Sequence, residues 1–496
     1  MQSLSDPDKL EFSRQPTMAD VAVVHEAINS QQKEIDSIDG EIEMLMRNVR
    51  RLTHQKSQHQ VRIRYYKGLI TLATRIAPEL LAIIFEHAAA DSPRAPLVLS
   101  QVCSAWRAAT TLPGVWSHIF VNCDSRDPHG RTLFWISKVQ EAPLYITLEV
   151  AADSSQLEPV MNLLLRYAKQ WRSLTINTLF SHQANYILSR CRHSVPDLRR
   201  VDIRTDLERR DADQVEDQLV GFREAFDEFN APRLSTVHLA RELSATSDFL
   251  PQGITSLYLH LPSWSGPATI PVLSVIQLLR SLPLLRKFTM EFPTFHERTL
   301  VPPPSTEETL RIATVPNLEH LTLVLSPDAN GILSYIQAPA LLSLTLRSSG
   351  EPLGFAHLGT GVSLIQFIVQ SAPPLERLDL HDVDIPRTDL TRCLASLTHL
   401  KELTLHESEI DDDVIQQLYG PNGSCPHLGK LDLRWCGQLT GRALVELVQS
   451  RQEGTGNLIK EVAVINCSFV KENDIMDLAQ LTCCRVTMKP LGDICR

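Results

Sequence analysis

Between Val21 and Leu52, apolar residues recur at alternating steps of three and four. Val21, Ile28, Ile35, Ile42 and Val49 fall on a positions of a heptad; Val24, Ile38, Leu45 and Leu52 fall on d, where Gln31 is the polar exception. The register predicts one long helix over 17–70. Five β-branched residues at successive a positions suit a parallel two-stranded coil. The stripe 21–52 therefore fits either a homodimer or packing on the chain's own body. Past Leu52 the seam degrades to Lys56 and His59, and Arg47, Arg50, Arg51, Arg62, Arg64 and Lys67 make the surface basic. After the acids Glu34, Asp36, Asp39, Glu41 and Glu43, that run reads as a solvated helix face rather than a nucleic-acid site. Residues 1–16 are polar, and disorder is expected there.

The pattern changes at Ile76. Pro78-Glu79 places a proline and an acid in a first helical turn. Leu80, Leu81, Ile83, Ile84 and Phe85 then cover nearly the whole circumference of that helix, more than one core face accounts for. Asp91-Ser92-Pro93 breaks it. A second helix sets Val98, Val102 and Trp106 four apart, with Leu99 and Cys103 beside them, until Thr110–Gly114 ends it. Val115, Trp116 and Ile119 read as a last apolar turn. Three short helices cannot bury this much apolar surface alone, so part of it is expected to dock onto something else.

Beyond Asn122 the period shortens. Leu144-Tyr-Ile-Thr-Leu148 alternates like a first strand. A spaced triplet then recurs, an apolar residue followed by others three and five positions on. It reads Trp171..Leu174.Ile176, Leu198..Val201.Ile203, Leu234..Val237.Leu239, Ile254..Leu257.Leu259 and Leu285..Phe288.Met290. It continues as Leu318..Leu321.Leu323, Leu341..Leu344.Leu346, Leu375..Leu378.Leu380, Leu400..Leu403.Leu405, Leu428..Leu431.Leu433 and Ile459..Val462.Val464. Each copy is one short strand; helical runs such as Ala443–Val448 follow where spacing allows. One copy cannot bury its face, so the copies must stack. Pro302–Ser305 and Gly350–Gly361 read as insertions, and Asp206–Phe229 as a helix on the outer side. Within a strand, the residue between the two core positions and the one after the second point away from the core. Near the C-terminal end these are Asp379 and His381, Thr404 and His406, Asp432 and Arg434, with Trp435 next. Stacking would align them into two rows, a substrate-binding surface beside an exposed tryptophan.

Composition narrows the classes. Hydrophobic residues make up 43% of the 496, charged residues 21%, and the net charge is −10. That is a globular balance with no dominant basic domain, so no nucleic-acid partner is expected. No apolar run reaches the roughly 18 residues of a membrane span, and the N-terminus lacks a signal peptide's apolar core; a cytoplasmic or nuclear protein is expected. The ten cysteines show no CxxC pair. Cys436 and Cys467 hold equivalent places after their strands and read as small buried residues. Cys425-Pro-His427 and Cys483-Cys484 lack a second ligand pair, so no metal is assigned. Gly359-Thr-Gly361 has neither the third glycine nor the lysine of a phosphate loop, and Asp411-Asp412-Asp413 fits a helix N-terminus. No catalytic constellation and no cofactor are assigned.

Two resemblances sharpen this. Ile76, Pro78-Glu79-Leu80-Leu81, Ile84-Phe85, Val102–Arg107, Leu112-Pro113 and Val115-Trp116 together resemble an F-box, in the diverged form of fungal F-box-like proteins. The family usually opens Leu-Pro-x-Glu; Ile76-Ala77-Pro78-Glu79 lacks that first proline, and Pro78 supplies the helix start. The triplets resemble the strand of leucine-rich repeats, and Leu431–Thr440 and Val462–Val470 resemble their cysteine-containing subtype. The expected fold class is an α/β solenoid: an irregular leucine-rich-repeat array over 123–496, preceded by a three-helix F-box-like domain over 71–122 and the long helix. The resemblance implies a non-catalytic substrate-recognition subunit of a Skp–cullin–F-box ubiquitin ligase. A Skp-type adaptor, and through it a cullin, would bind Ile76, Pro78, Glu79, Leu81, Ile84, Phe85, Val98 and Val102, and the repeats would hold a protein substrate. The alternative is a non-ligase repeat scaffold assembling through its N-terminal helix.

Overall fold

The structure, a computed structural model, describes residues 18–69, 76–151, 155–192, 195–205, 222–240, 250–260, 269–291, 299–301, 312–325, 327–348, 358–383, 385–408, 410–420, 422–452 and 458–487. The chain divides into two compact units, 1–81 and 82–496. In the first unit the heptad forms one unbroken helix, α1 (Met18–Leu69), of 52 residues, with Lys67 complementing the dipole in its last turn. Every residue from Val21 to Gly68 is exposed, the apolar stripe included. The disorder expected for 1–16 lies outside the described residues.

The apolar stretch that follows folds as three short helices, α2 (Pro78–Asp91), α3 (Ala95–Ser100) and α4 (Ser104–Ala109), and a 3-10 turn at Pro113–Trp116. Trp116 is buried; its Nε1 donates to the Thr110 carbonyl at 2.7 Å, and its ring meets Trp135 edge-on at 5.2 Å. Ile119 does not extend this turn. It is buried in a strand, β1 (His118–Asn122), which pairs in parallel with β2 (Leu144–Val150). The sheet thus begins inside the range expected for the three-helix domain, and Leu144–Val150 is its second strand, not its first. The reason is local: Ile119 and Val121 are two residues apart and share the buried face.

Among the described residues, fourteen strands form one parallel sheet. After β1 and β2 come β3 (Trp171–Thr178), β4 (Arg200–Thr205), β5 (Thr236–Ala240), β6 (Ser256–His260), β8 (Lys287–Glu291) and β11 (His320–Leu325). β13 (Ser343–Ser348), β14 (Arg377–His381), β15 (Glu402–His406), β16 (Lys430–Arg434), β17 (Glu461–Ile465) and β18 (Cys483–Thr487) complete it. The intervening strands form two side pairs, β7 (Thr269–Pro271) with β9 (Thr299–Val301) and β10 (Ala313–Thr314) with β12 (Ile336–Gln337). Strand order in the main sheet follows chain order, and among the described residues the sheet stays open at β1 and β18, an α/β fold with no closed barrel.

Sequential order has a consequence. Right-handed crossovers between successive parallel strands all return over the same face, so among the described residues the connecting helices lie on one side of the sheet and the other is left bare. The triplets match this. Leu378, Leu403 and Leu431 stand level in one buried row and Leu380, Leu405 and Leu433 in the next. Leu375, Leu400 and Leu428 fill the turns before their strands. Fully burying each such side chain is worth about 1.5–3 kcal/mol. Of the expected insertions, 302–305 and 350–357 lie outside the described residues, and Leu358–Gly361 instead open a helix, Leu358–Ser371. Of 206–229 only Phe222–Ala225 is described as helix; Phe222 and Phe226 are buried, but Phe229 is exposed and does not share their face.

Candidate functional site

On the bare face the register aligns mostly polar side chains into rows. The residue between the two core positions gives Thr289, Thr322, Thr345, Asp379, Thr404 and Asp432 on six successive strands, β8 to β16. The residue after the second core position gives Glu291, Val324, Arg347, His381, His406 and Arg434. Neighbouring strands lie about 4.8 Å apart, so each row is a dense ladder. The sequence-derived rows Asp379–Thr404–Asp432 and His381–His406–Arg434 are brought together, and both extend further than the sequence suggested.

Their chemistry is largely internal. Arg434 grips Asp432, Nε to Oδ1 at 2.9 Å and Nη2 to Oδ2 at 2.8 Å. Asp432 is only 9% exposed. Burial alone would raise its pKa, but the guanidinium outweighs that and the carboxyl ends lowered. His381 Nε2 lies 2.6 Å from Asp379 Oδ1, and the His381 and His406 rings meet edge-on at 3.8 Å. Among the described residues, His406 Nε2 is buried without a hydrogen-bond partner.

Burial, then the nearby His381 and Arg434, push His406 down to about 4. At neutral pH it is an uncharged ring, so the second row is less cationic than its sequence reads. An unfolded chain's histidine titrates near 6.5. Between those values the unfolded state therefore binds more protons, and stability falls as pH drops through the window. Thermal melts at stepped pH are expected to show this loss, and His406→Gln to flatten it; an unchanged pH slope in the variant would contradict the assignment.

The residues just after the strands share a conformation. Asp382, Glu407, Trp435 and Asn466 all have positive φ, 50°, 51°, 59° and 55°. The turn carries the ladder one step further: Trp435 N donates to the Ile465 carbonyl at 2.9 Å, and Glu407 N to that of Arg434 at 2.8 Å. Asparagine and aspartate tolerate this region; a tryptophan there is strained. Trp435 is nonetheless 51% exposed, so the turn holds a large aromatic out at the rim of the bare face.

No family model matches the chain. No curated protein matches it. Among solved structures it is similar to a Bacteroides fragilis protein from a structural genomics consortium, at 10% identity and a TM-score of 0.30, over 71% of this chain and 76% of that one. A TM-score of that size assigns neither fold nor function.

A second polar cluster escaped the sequence reading. Asp202 on β4, its side chain 4% exposed, accepts from Arg204 at 3.1 and 3.0 Å. Its neighbours in the row are His238 and Tyr258, whose rings stack at 5.0 Å, and the Tyr258 hydroxyl reaches Glu291. The signal was available: Val201-Asp-Ile203-Arg and Leu431-Asp-Leu433-Arg are the same pattern at equivalent strand positions.

The expected adaptor residues separate into two sets. Leu81 and Phe85 are 3% and 2% exposed, and Phe85 meets Trp106 at 5.0 Å. They are corrected from docking residues to core residues, because positions four apart lie on one helix face and that face is buried. Pro78, Glu79, Ile84, Val98 and Val102 are exposed and Ile76 is half-buried; Ile83, not singled out before, is exposed beside Ile84. A cavity of about 1070 Å³ opens between Ser92–Leu97, β1 and the helix Pro128–Val139. Arg94, Arg131, Asp124 and Asp127 all line it, a mixed charge that selects no single ligand class.

The remaining polar motifs are structural. Asp411 caps the helix Asp412–Gln416 by accepting from Val414 N at 3.3 Å, and Asp412 accepts from both Thr440 N and Oγ1 at 2.8 Å. Cys436 and Cys467 are buried. Among the described residues no three His, Cys, Asp or Glu side chains are arranged to hold a metal ion, and no helix is long and apolar enough to cross a membrane.

Proposed function

We propose that this protein is a non-catalytic recognition subunit of a cullin-type ubiquitin ligase. Its short helices dock a Skp-type adaptor, and the bare face of its sheet holds a protein substrate. The observation that carries the reading is the exposed aliphatic set Ile83, Ile84, Val98 and Val102. Four large apolar side chains left in water within 83–102 suit a protein partner, and a few such anchors usually dominate an interface. The F-box-like motif names which partner to test. The sheet is read as an irregular leucine-rich-repeat solenoid, a reading supported by its sequential parallel order and by the level rows of leucines.

The division of labour follows. An apolar docking site joins the chain to the ligase, while polar rows ending at Trp435 choose what is brought to it. Paired groups such as Asp432–Arg434 present a fixed pattern of donors and acceptors, which suits specificity. The test is to recover the tagged full chain from eukaryotic cells and identify its partners by mass spectrometry. The adaptor and a cullin are expected together. Their absence, with other partners recovered on Ile84 and Val98, would overturn the reading.

A further inference from the structure

We propose that α1 pairs with α1 of a second copy as an antiparallel coiled coil. From Val21 to Leu52, about nine turns, the stripe is apolar except at Gln31 and wholly exposed, so it is a seam without its partner. The a positions alone suit a parallel coil, but the charges oppose one. From Met18 to Met46 the helix holds seven acids and one base, a net −6; from Arg47 to Leu69 it holds seven bases and no acid, a net +7. Parallel pairing sets like half against like half along the whole length. It also faces Glu34 at g with Asp39 at e of the other copy, twice by symmetry, and stacks Lys56 on Lys56 at a. Antiparallel pairing sets the acidic half of each copy beside the basic half of the other.

One register uses the full helix. When residues whose numbers sum to 87 stand level, Met18 meets Leu69 and all 52 residues overlap. Most layers then match: Ile42 with Leu45, Ile38 with Val49, Ile35 with Leu52 and Val24 with Ile63 are apolar, Val21 meets Tyr66, Gln31 meets Lys56 in a polar layer, and Ile28 with His59 is the one mixed layer. Polar layers of this kind fix register at some cost in stability. At the flanks Glu34 faces Gln55 and Glu41 faces Asn48, so no like charges meet. The pairing also separates the C-terminal ends of the two α1 helices by about 75 Å, where a parallel coil would put them side by side.

Sedimentation equilibrium and photo-cross-linking of the full chain test this together. A dimer is expected whose Kd rises roughly tenfold between about 0.1 and 1 M sodium chloride, because screening removes a favourable term. Ile35→Asp with Ile42→Asp is expected to give a monomer whose sheet melts as before. A photo-reactive phenylalanine in place of His25, in a mixture of isotope-labelled and unlabelled chains, is expected to link to the other copy near Gln60. A monomer at all concentrations, a dimer that tightens with salt, or links near Asp20 of the other copy would each overturn the proposal.

Discussion

Ile84→Asp combined with Val98→Asp is expected to abolish adaptor binding and leave the melting temperature unchanged. Both side chains are at least half exposed, at 50% and 60%, so carboxylates there remain in water in the free chain. On docking they must be desolvated, and two apolar anchors are lost at about 1.5–3 kcal/mol each. Together that is a factor of roughly a hundred or more in Kd. Phe85→Ala is the contrasting variant. It hollows the packing against Trp106 and is expected to cost about 3–5 kcal/mol of stability. Titration calorimetry and thermal melts on both variants separate surface from core; a double variant that still binds like the parent removes this face from the account.

Trp435→Asn is expected to weaken substrate capture by about 2 kcal/mol or more, the scale of an aromatic hot spot. Stability should hold or rise slightly. The side chain is half in water, and asparagine accepts the left-handed backbone that strains tryptophan. Arg434→Ala makes a poorer test of recognition. It strands the Asp432 carboxylate, and leaving a largely buried charged group unpaired costs about 1–3 kcal/mol or more of stability. The check is recovery of captured proteins from an extract by Trp435→Asn, compared with its melting curve. Full capture, or a melting temperature many degrees lower, would contradict the role given to Trp435.

The strands were legible because each must present apolar residues two apart to a helix-covered face, and Leu403 with Leu405 or Leu431 with Leu433 can serve little else. β1 was not, because Ile119 and Val121 follow Trp116 so closely that they continue an apolar run. Which of Leu81, Ile84 and Phe85 faces inward was also hidden. Leu80-Leu81-Ala82-Ile83-Ile84-Phe85 covers every helix face, so only the packing around Trp106 decides. On the bare face, position could be read but pairing could not. Sequence placed Asp432 and Arg434 on the same side of one strand, yet their closing on each other depends on rotamers. For the same reason the neutrality of His406 follows from burial and its neighbours, not from its type.

Calorimetric titration of the full, unmodified chain with a purified Skp-type adaptor at two temperatures tests the proposed docking directly. One adaptor per chain, a Kd below about 1 µM and a negative heat-capacity change from apolar burial are expected. No saturable binding at about 100 µM adaptor, from a chain whose melting curve shows it folded, would contradict the proposed docking.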